Sequence, residues 1–452
     1  MLSAMLCLGS TVQLSLTTTE GFLLADSSPG VTVSGLEPGQ IVRVSAQRTF
    51  SKVEFRNGAW GPVPVPMISW ADFRADGKGR IDADRQRPMA GTWRRAESIG
   101  FHYSLVSFKQ ARVDPPLSPD EAASNRIKFS VQSGSELIAQ AEAVIRDYDS
   151  SVVVEDVTTP VVIGAYARPK VGTDFPLVIY LHGSEGSSVD GARSNAARFA
   201  MAGFACFALS YSARPWMNYR GVPTDAVNVP LEVLDRVRAW ARGRSELDIN
   251  RIALYGVSKG AEMATVAGTK LTWPKAIVAC VGSDSVWEGY GRPKKEGEFF
   301  SSWSWRGQPL DYIPYLNSDE FFAQNPGIQA REWHRQSRGG AGEETERRAR
   351  IPVENLQAPI LLLAGERDEV WPSGEMARSV ARQMTRAGKG SLVTLRVFPQ
   401  ANHQISGAGG WPQALYAPDP LGPNDADPLA VAEATVDAWR ITREFLAREL
   451  RR

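Results

Sequence analysis

Gly256-Val257-Ser258-Lys259-Gly260 is the segment of this chain whose residue types and spacing most directly offer chemistry. A serine between two glycines can sit on a turn too tight for other side chains, with its hydroxyl exposed as a nucleophile. Such a pentapeptide also arises by chance, so its neighbours must decide. Arg251 to Tyr255 is rich in strand formers, and an Ala-rich helical pattern begins at Lys259. The strand–turn–helix context reads as a nucleophile elbow with Ser258 at its tip.

A serine hydroxyl reacts poorly unless a base takes its proton. Of four histidines, His403 follows the last apolar run, in Phe398-Pro399-Gln400-Ala401-Asn402-His403. That is where a base reaches a sheet-edge serine. His182 is the main rival, but it occupies the turn Leu181-His182-Gly183, which suits an oxyanion hole better; His102 and His334 read as surface or packing residues. The imidazole needs a carboxylate to set its tautomer. Asp368, closing Gly365-Glu366-Arg367-Asp368 after the apolar run Ile360 to Ala364, is the leading candidate, with Asp284, Glu366 and Glu369 as rivals. The order Ser258, Asp368, His403 is that of α/β-hydrolase triads. An oxyanion calls for two donors. The backbone N–H of Lys259, at a helix start, is one, and the loop His182-Gly183-Ser184-Glu185-Gly186 offers the other at Ser184.

Positioning these groups takes a parallel sheet. Continuous apolar runs at Leu177–Leu181, Ala205–Leu209, Ile252–Tyr255, Ala276–Val281, Ile360–Ala364 and Val393–Phe398 alternate with helical patterns near 191–202, 230–242, 259–270, 373–386 and 429–450. Strands buried on both faces between helices predict an α/β domain over 147–452, opened by a strand pair at 152–155 and 161–166. Trp287 to Arg350 interrupts the alternation and reads as an insertion or cap. Residues 11–146 show period-two runs broken by Pro38-Gly39, Asn57-Gly58 and Asp76-Gly77, which predicts an immunoglobulin-like β-sandwich with Trp60, Trp70, Phe73, Trp93 and Phe101 in its core.

Composition narrows the class. A chain of 452 residues exceeds the size of a single core, and a formal charge of +1 argues against a nucleic-acid surface. The charged run Arg335 to Arg350 mixes both signs and reads as a solvated face, and Arg292-Pro293-Lys294-Lys295 is too short to bind alone. Three cysteines form no disulfide framework; Cys206 and Cys280 lie in apolar runs and read as buried. The histidines lack metal-ligand spacing, so neither a metal nor a cofactor is expected. Met1 to Leu8 is apolar but has no basic flank, and no stretch approaches a membrane span. The expected compartment is the cytoplasm, unless a signal lies upstream of Met1 or is clipped there. Oligomeric state is not legible.

At these residues the sequence resembles the acyl-CoA thioester hydrolase / bile acid-CoA:amino acid N-acyltransferase family. Gly256-Val257-Ser258-Lys259-Gly260-Ala261-Glu262 is similar to its G-x-[SC]-K-G-A-E run, and Pro230-Leu231-Glu232 to its helix start upstream. Ile351-Pro352-Val353-Glu354, Gly365-Glu366-Arg367-Asp368 and Val436-Asp437-Ala438-Trp439 resemble later segments. Gly35-Leu36-Glu37-Pro38-Gly39-Gln40 and Ser69-Trp70-Ala71-Asp72-Phe73-Arg74-Ala75-Asp76 resemble its N-terminal β-sandwich. Two departures stand out: Ala401-Asn402-His403-Gln404 replaces a Gly-rich approach followed by an acidic residue and prolines, and Ser51 to Pro66 is richer in proline.

The resemblance implies the same triad and a small acyl-CoA or ester substrate. It also implies hydrolysis rather than transfer, because members that conjugate acyl groups to amino acids resemble one another in carrying cysteine where this chain has Ser258. A carboxylesterase or acyltransferase on the same scaffold is the alternative activity. A non-catalytic binding protein is the alternative class, weakened because binding needs no nucleophile, base and acid together.

Overall fold

The computed structural model describes residues 12–56, 59–214, 219–292, 298, 300–407, 412–416 and 426–451, with side chains described outside 53–60. Met1–Leu8 with Cys7, the turn Asn57-Gly58, the Trp60 side chain and Pro293–Lys295 lie outside the described residues. Two compact units emerge, one formed chiefly by residues 1–149 and the other chiefly by 150–407, with later segments divided between them.

The first unit is β-rich. A three-stranded sheet (Gln13–Ser15, Thr32–Ser34, Ile81–Asp82) accompanies a larger, mainly antiparallel one containing Ile41–Arg56, Ala59–Arg74, Arg126–Ser133 and Glu136–Arg146. Phe73, Trp93, Phe101 and Phe129 fill its core edge-to-face, with Trp93 and Phe101 ring centres 4.4 Å apart. Trp70, expected in that core, is instead half-buried with the Arg43 guanidinium 3.8 Å above its ring. Pro62, Pro64 and Pro66 recur at every second residue of one long strand. Their missing N–H groups therefore fall along one side, leaving the other to pair with residues 49–53.

The second unit carries the parallel sheet. Its strands are β1 (Val152–Thr158), β2 (Ile163–Pro169), β3 (Phe175–Leu181), β4 (Ala205–Leu209), β5 (Leu247–Val257), β6 (Ala276–Cys280), β7 (Ile360–Gly365) and β8 (Val393–Phe398). They lie in the order β1-β2-β4-β3-β5-β6-β7-β8. Pairing is antiparallel through β1, β2 and β4 and parallel from β4 onward. Such a sheet with helical crossovers is an α/β-hydrolase arrangement. Ile252 to Val257 is buried throughout, as a strand covered on both faces requires. Between the strands run the helices α1 (Val189–Met201), α2 (Val233–Ala241), α3 (Lys259–Gly268), α4 (Ala330–Ala341) and α5 (Ser373–Arg386), and α6 (Pro428–Glu449) follows the last strand.

Two element ends shift from the sequence reading. Val161 is exposed in the turn before β2, and Pro230 pairs with Ser304 in a short strand, so α2 begins three residues later. Proline can occupy a strand residue whose N–H has no partner to serve. Cys206 and Cys280 are fully buried in β4 and β6, and burial pushes both thiols up. No described helix is long and apolar enough to cross a membrane.

Candidate active site

The carboxyl edge of the sheet brings the site together. Ser258 joins β5 to α3 with φ +54° and ψ −119°, a conformation that non-glycine residues hold only when the surroundings dictate it. Here the two flanking glycines let that happen. A Cβ on Gly256 would strike the carbonyl of Gly260, and one on Gly260 would strike the carbonyls of Leu181 and His182 at the end of β3. The turn therefore closes only without side chains at both positions. Ser258 is 6% exposed, opening onto a cavity rather than bulk solvent.

His403 lies on the loop after β8, with Nε2 3.0 Å from Ser258 Oγ. Its Nδ1 lies 2.9 and 2.8 Å from the two oxygens of Asp368, on the loop after β7. Asp368 is 1% exposed, and its Oδ1 also accepts the N–H groups of Val370 (2.9 Å) and Trp371 (3.0 Å). The carboxylate is held from two directions, so it presents a fixed edge to the imidazole. Burial lowers the His403 pKa, but the charge and hydrogen bond of Asp368, with smaller help from Glu369 and Glu185, raise it further, leaving it above the usual 6.5.

The rival carboxylates do other things. Glu366 pairs with Arg378 at the surface, and Asp284 pairs with Arg338 at 2.5 Å. Glu369 is fully buried, and its Oε2 accepts the backbone N–H of His403 at 3.3 Å, fixing the loop rather than the ring. His182 stacks on Tyr211 with ring centres 3.9 Å apart and turns Nδ1 to the Gly183 carbonyl, away from a base's role. The Lys259 N–H is the first of α3, where no earlier carbonyl of the helix can accept it. A Cβ on Gly183 would come within 3.1 Å of Ser258 Cβ, so the glycine loop approaches the serine closely. The Gly183 N–H itself serves Glu185 (3.0 Å), while Ser184 lines the cavity beside Ser258 and Lys259.

That cavity measures about 970 Å³. The segment between β6 and β7 supplies much of its wall, through Tyr290, Tyr315, Leu316, Trp333 and His334, and Trp371 closes it beside the acid loop. Of the two alternatives read for His334, surface or packing, the structure shows packing. The side chain is 4% exposed on α4, donates Nδ1–H to the Ala330 carbonyl at 2.9 Å and packs edge-on against Trp287, Tyr315, Trp333 and Trp371. Burial depresses its pKa to about 3, so it is neutral at working pH. Among the described residues no cluster of three or more His, Cys, Asp or Glu could hold a metal.

Residues 229–452 match the family model described as BAAT / Acyl-CoA thioester hydrolase C terminal, and residues 26–146 match the Acyl-CoA thioester hydrolase/BAAT N-terminal region. The chain belongs to the acyl-CoA thioester hydrolase/BAAT family. Full-length relatives agree. Acyl-coenzyme A thioesterase 6 of Mus musculus is 24% identical over 94% of this chain and 94% of its own. Acyl-coenzyme A thioesterase 2, mitochondrial, of Mus musculus is 22% identical over 95% of this chain and 88% of its own. Acyl-coenzyme A amino acid N-acyltransferase 2 of Rattus norvegicus is 23% identical over 97% and 98%. Two of these relatives are thus named for hydrolysis and one for transfer, and all three names include acyl-coenzyme A.

Proposed function

We propose that this protein is an acyl-CoA thioesterase that works through an acyl-serine intermediate. The observation that carries the reading is the unbroken chain from Ser258 Oγ through His403 to the buried Asp368. In the first half, Ser258 Oγ attacks the thioester carbonyl while His403 Nε2 takes its proton. The N–H of Lys259 and a second donor from the Ser184 loop receive the developing oxyanion. Collapse breaks the carbon–sulfur bond, and His403 returns the proton to the departing coenzyme A thiolate. In the second half His403 deprotonates water, which attacks the acyl-serine ester. The acid leaves and Ser258 recovers its proton. Asp368 holds the Nδ1–H tautomer throughout and stabilises the imidazolium.

The acyl group has room in the aromatic cavity that opens on Ser258. A panel of acyl-CoAs against matched oxygen esters tests the substrate class: turnover of thioesters is expected to dominate, and good activity on simple esters with none on acyl-CoAs would make the protein a carboxylesterase.

The pH dependence follows from His403. Only the neutral imidazole is a base, and the Asp368 carboxylate raises its pKa above 6.5. kcat/KM is therefore expected to rise with pH through an acid limb whose midpoint lies above 6.5; a measured midpoint below the ordinary histidine value would contradict the pairing.

Ser258 also bears on transfer, the second activity named among relatives. An acyl-serine is an oxygen ester that water clears, whereas an acyl-cysteine stays a thioester activated toward amines. Ser258→Cys is expected to acylate, since thiolate is the stronger nucleophile, and then to deacylate slowly, with glycine or taurine competing for the acyl group. Intact-mass spectrometry after mixing with an acyl-CoA follows the adduct. Clearance to water as fast as in the parent would show that the acceptor pocket, not residue 258, selects hydrolysis.

A further inference from the structure

The mechanism leaves one buried ion pair unused, and it lies against the nucleophile. Lys259, the residue after Ser258, is 2% exposed, and Glu262, one turn along α3, is fully buried. Nζ lies 3.0 and 3.1 Å from the two carboxylate oxygens. Burial favours the neutral form of each, lowering the lysine and raising the glutamate; their mutual charge and hydrogen bond oppose it, helped at the glutamate by the N–H groups of Trp287 and Trp303. A surface i,i+3 pair would be unremarked. An interior one is a poor source of stability, because desolvation offsets most of its attraction.

What the pair does collect is chain segments. Glu262 Oε1 accepts the backbone N–H of Trp287 at 3.1 Å and the indole N–H of Trp303 at 2.7 Å, while Lys259 Nζ donates to the Trp287 carbonyl at 3.4 Å. The ammonium also lies 5.7 Å from the Trp303 ring centre and 6.0 Å from that of Trp371. Trp371 is the residue whose N–H binds Asp368 Oδ1, and its ring is 6.4 Å from that of His403. The first turn of α3, the segment after β6 and the acid loop thus meet at one carboxylate–ammonium contact. That turn also carries the N–H assigned to the oxyanion.

We propose that Lys259 and Glu262 are positioning residues, pinning Trp287, Trp303 and Trp371 to the first turn of α3 so that Ser258 Oγ and the Lys259 N–H stay aimed at one point. This rests on the reading of Ser258 as nucleophile. The Lys259 backbone N–H faces the reacting carbonyl, but the ammonium and the carboxylate act through the chain segments they hold, so the influence of the charged pair falls on the chemical step. Glu262→Gln keeps the side-chain shape and removes the charge. Trp303→Phe removes the indole donor to Glu262, together with part of the ring volume, and leaves the Lys259–Glu262 charges in place.

The test is the rate at which a fluorophosphonate labels Ser258, followed by intact mass, with kcat and KM for an acyl-CoA and a melting curve for each variant. In labelling, Ser258 Oγ bonds to phosphorus and fluoride leaves, so the readout needs no thioester. Glu262→Gln is expected to slow labelling and lower kcat together, by about 10- to 100-fold, with KM changed less than about threefold. Trp303→Phe should move both in the same direction by about three- to tenfold, and it carries the test if Glu262→Gln does not fold. Folded variants that label and turn over at the parent rate, with only their melting temperature lowered, would make the pair structural and overturn the proposal. A parent protein that does not label overturns the nucleophile reading instead, and this inference with it.

Discussion

Ser258→Ala is expected to lower turnover by about 10⁴- to 10⁶-fold while the protein stays folded. Alanine keeps the Cβ already accommodated at φ +54°, so the elbow gains no clash and loses only Oγ. His403→Ala should fall in the same range, because Ser258 has its base at 3.0 Å and nowhere else among the described residues. The two losses should not add, since both remove the same acylation step. Single-turnover kinetics with an acyl-CoA, alongside circular dichroism, reads the effect. Near-parental turnover in either variant would reject the triad.

Asp368→Asn should lower kcat by about 10⁴-fold for a different reason. Asp368 Oδ1 accepts the N–H groups of Val370 and Trp371, so the asparagine oxygen is held there and its NH₂ must face His403 Nδ1. Nδ1 then becomes the acceptor, and the ring proton moves to Nε2, where it points at Ser258 and blocks proton uptake. The acid limb should also shift down, because burial then acts on His403 without the carboxylate opposing it. The sign for stability follows from the same shift. A histidine whose pKa is raised by folding stabilises the native state below its unfolded value near 6.5, and that contribution is lost as pH rises through the folded value. Thermal melts of the parent across that window, compared with Asp368→Asn, read it directly: the parent should lose its advantage as pH rises. A variant with a parental acid limb and only a small loss of kcat would mean that Asp368 does not set the tautomer.

The parts of the site that lie on sheet-edge loops were legible from sequence for a local reason. A glycine-flanked serine after an apolar run, a carboxylate after the next-to-last run and a histidine after the last are each announced by their own neighbours. Ala205–Leu209 was legible because burial on both faces leaves an unbroken apolar run, whereas Val393–Phe398 has the ends its residues suggest but is an edge strand exposed from Thr394 to Arg396, not the strand buried on both faces that the sequence predicts. That His334 packs was one of two readings open in the sequence, but its place in the cavity wall was not legible. The residue sits in the segment between β6 and β7, with no motif around it, and only the folded arrangement of Trp287, Tyr315, Trp333 and Trp371 draws it to the cavity. Lys259 and Glu262 were opaque for the opposite reason. Their spacing is that of an ordinary exposed helix pair, and nothing local says that α3 is buried on every side.

Rapid quenching of the parent protein with an acyl-CoA, followed by peptide mass spectrometry, tests the central claim most directly. The account predicts a transient acyl group on the peptide containing Ser258, formed with stoichiometric release of coenzyme A and cleared by water at a rate matching turnover. Hydrolysis of the thioester with no adduct forming at Ser258, or with the acyl group on another residue, would contradict it.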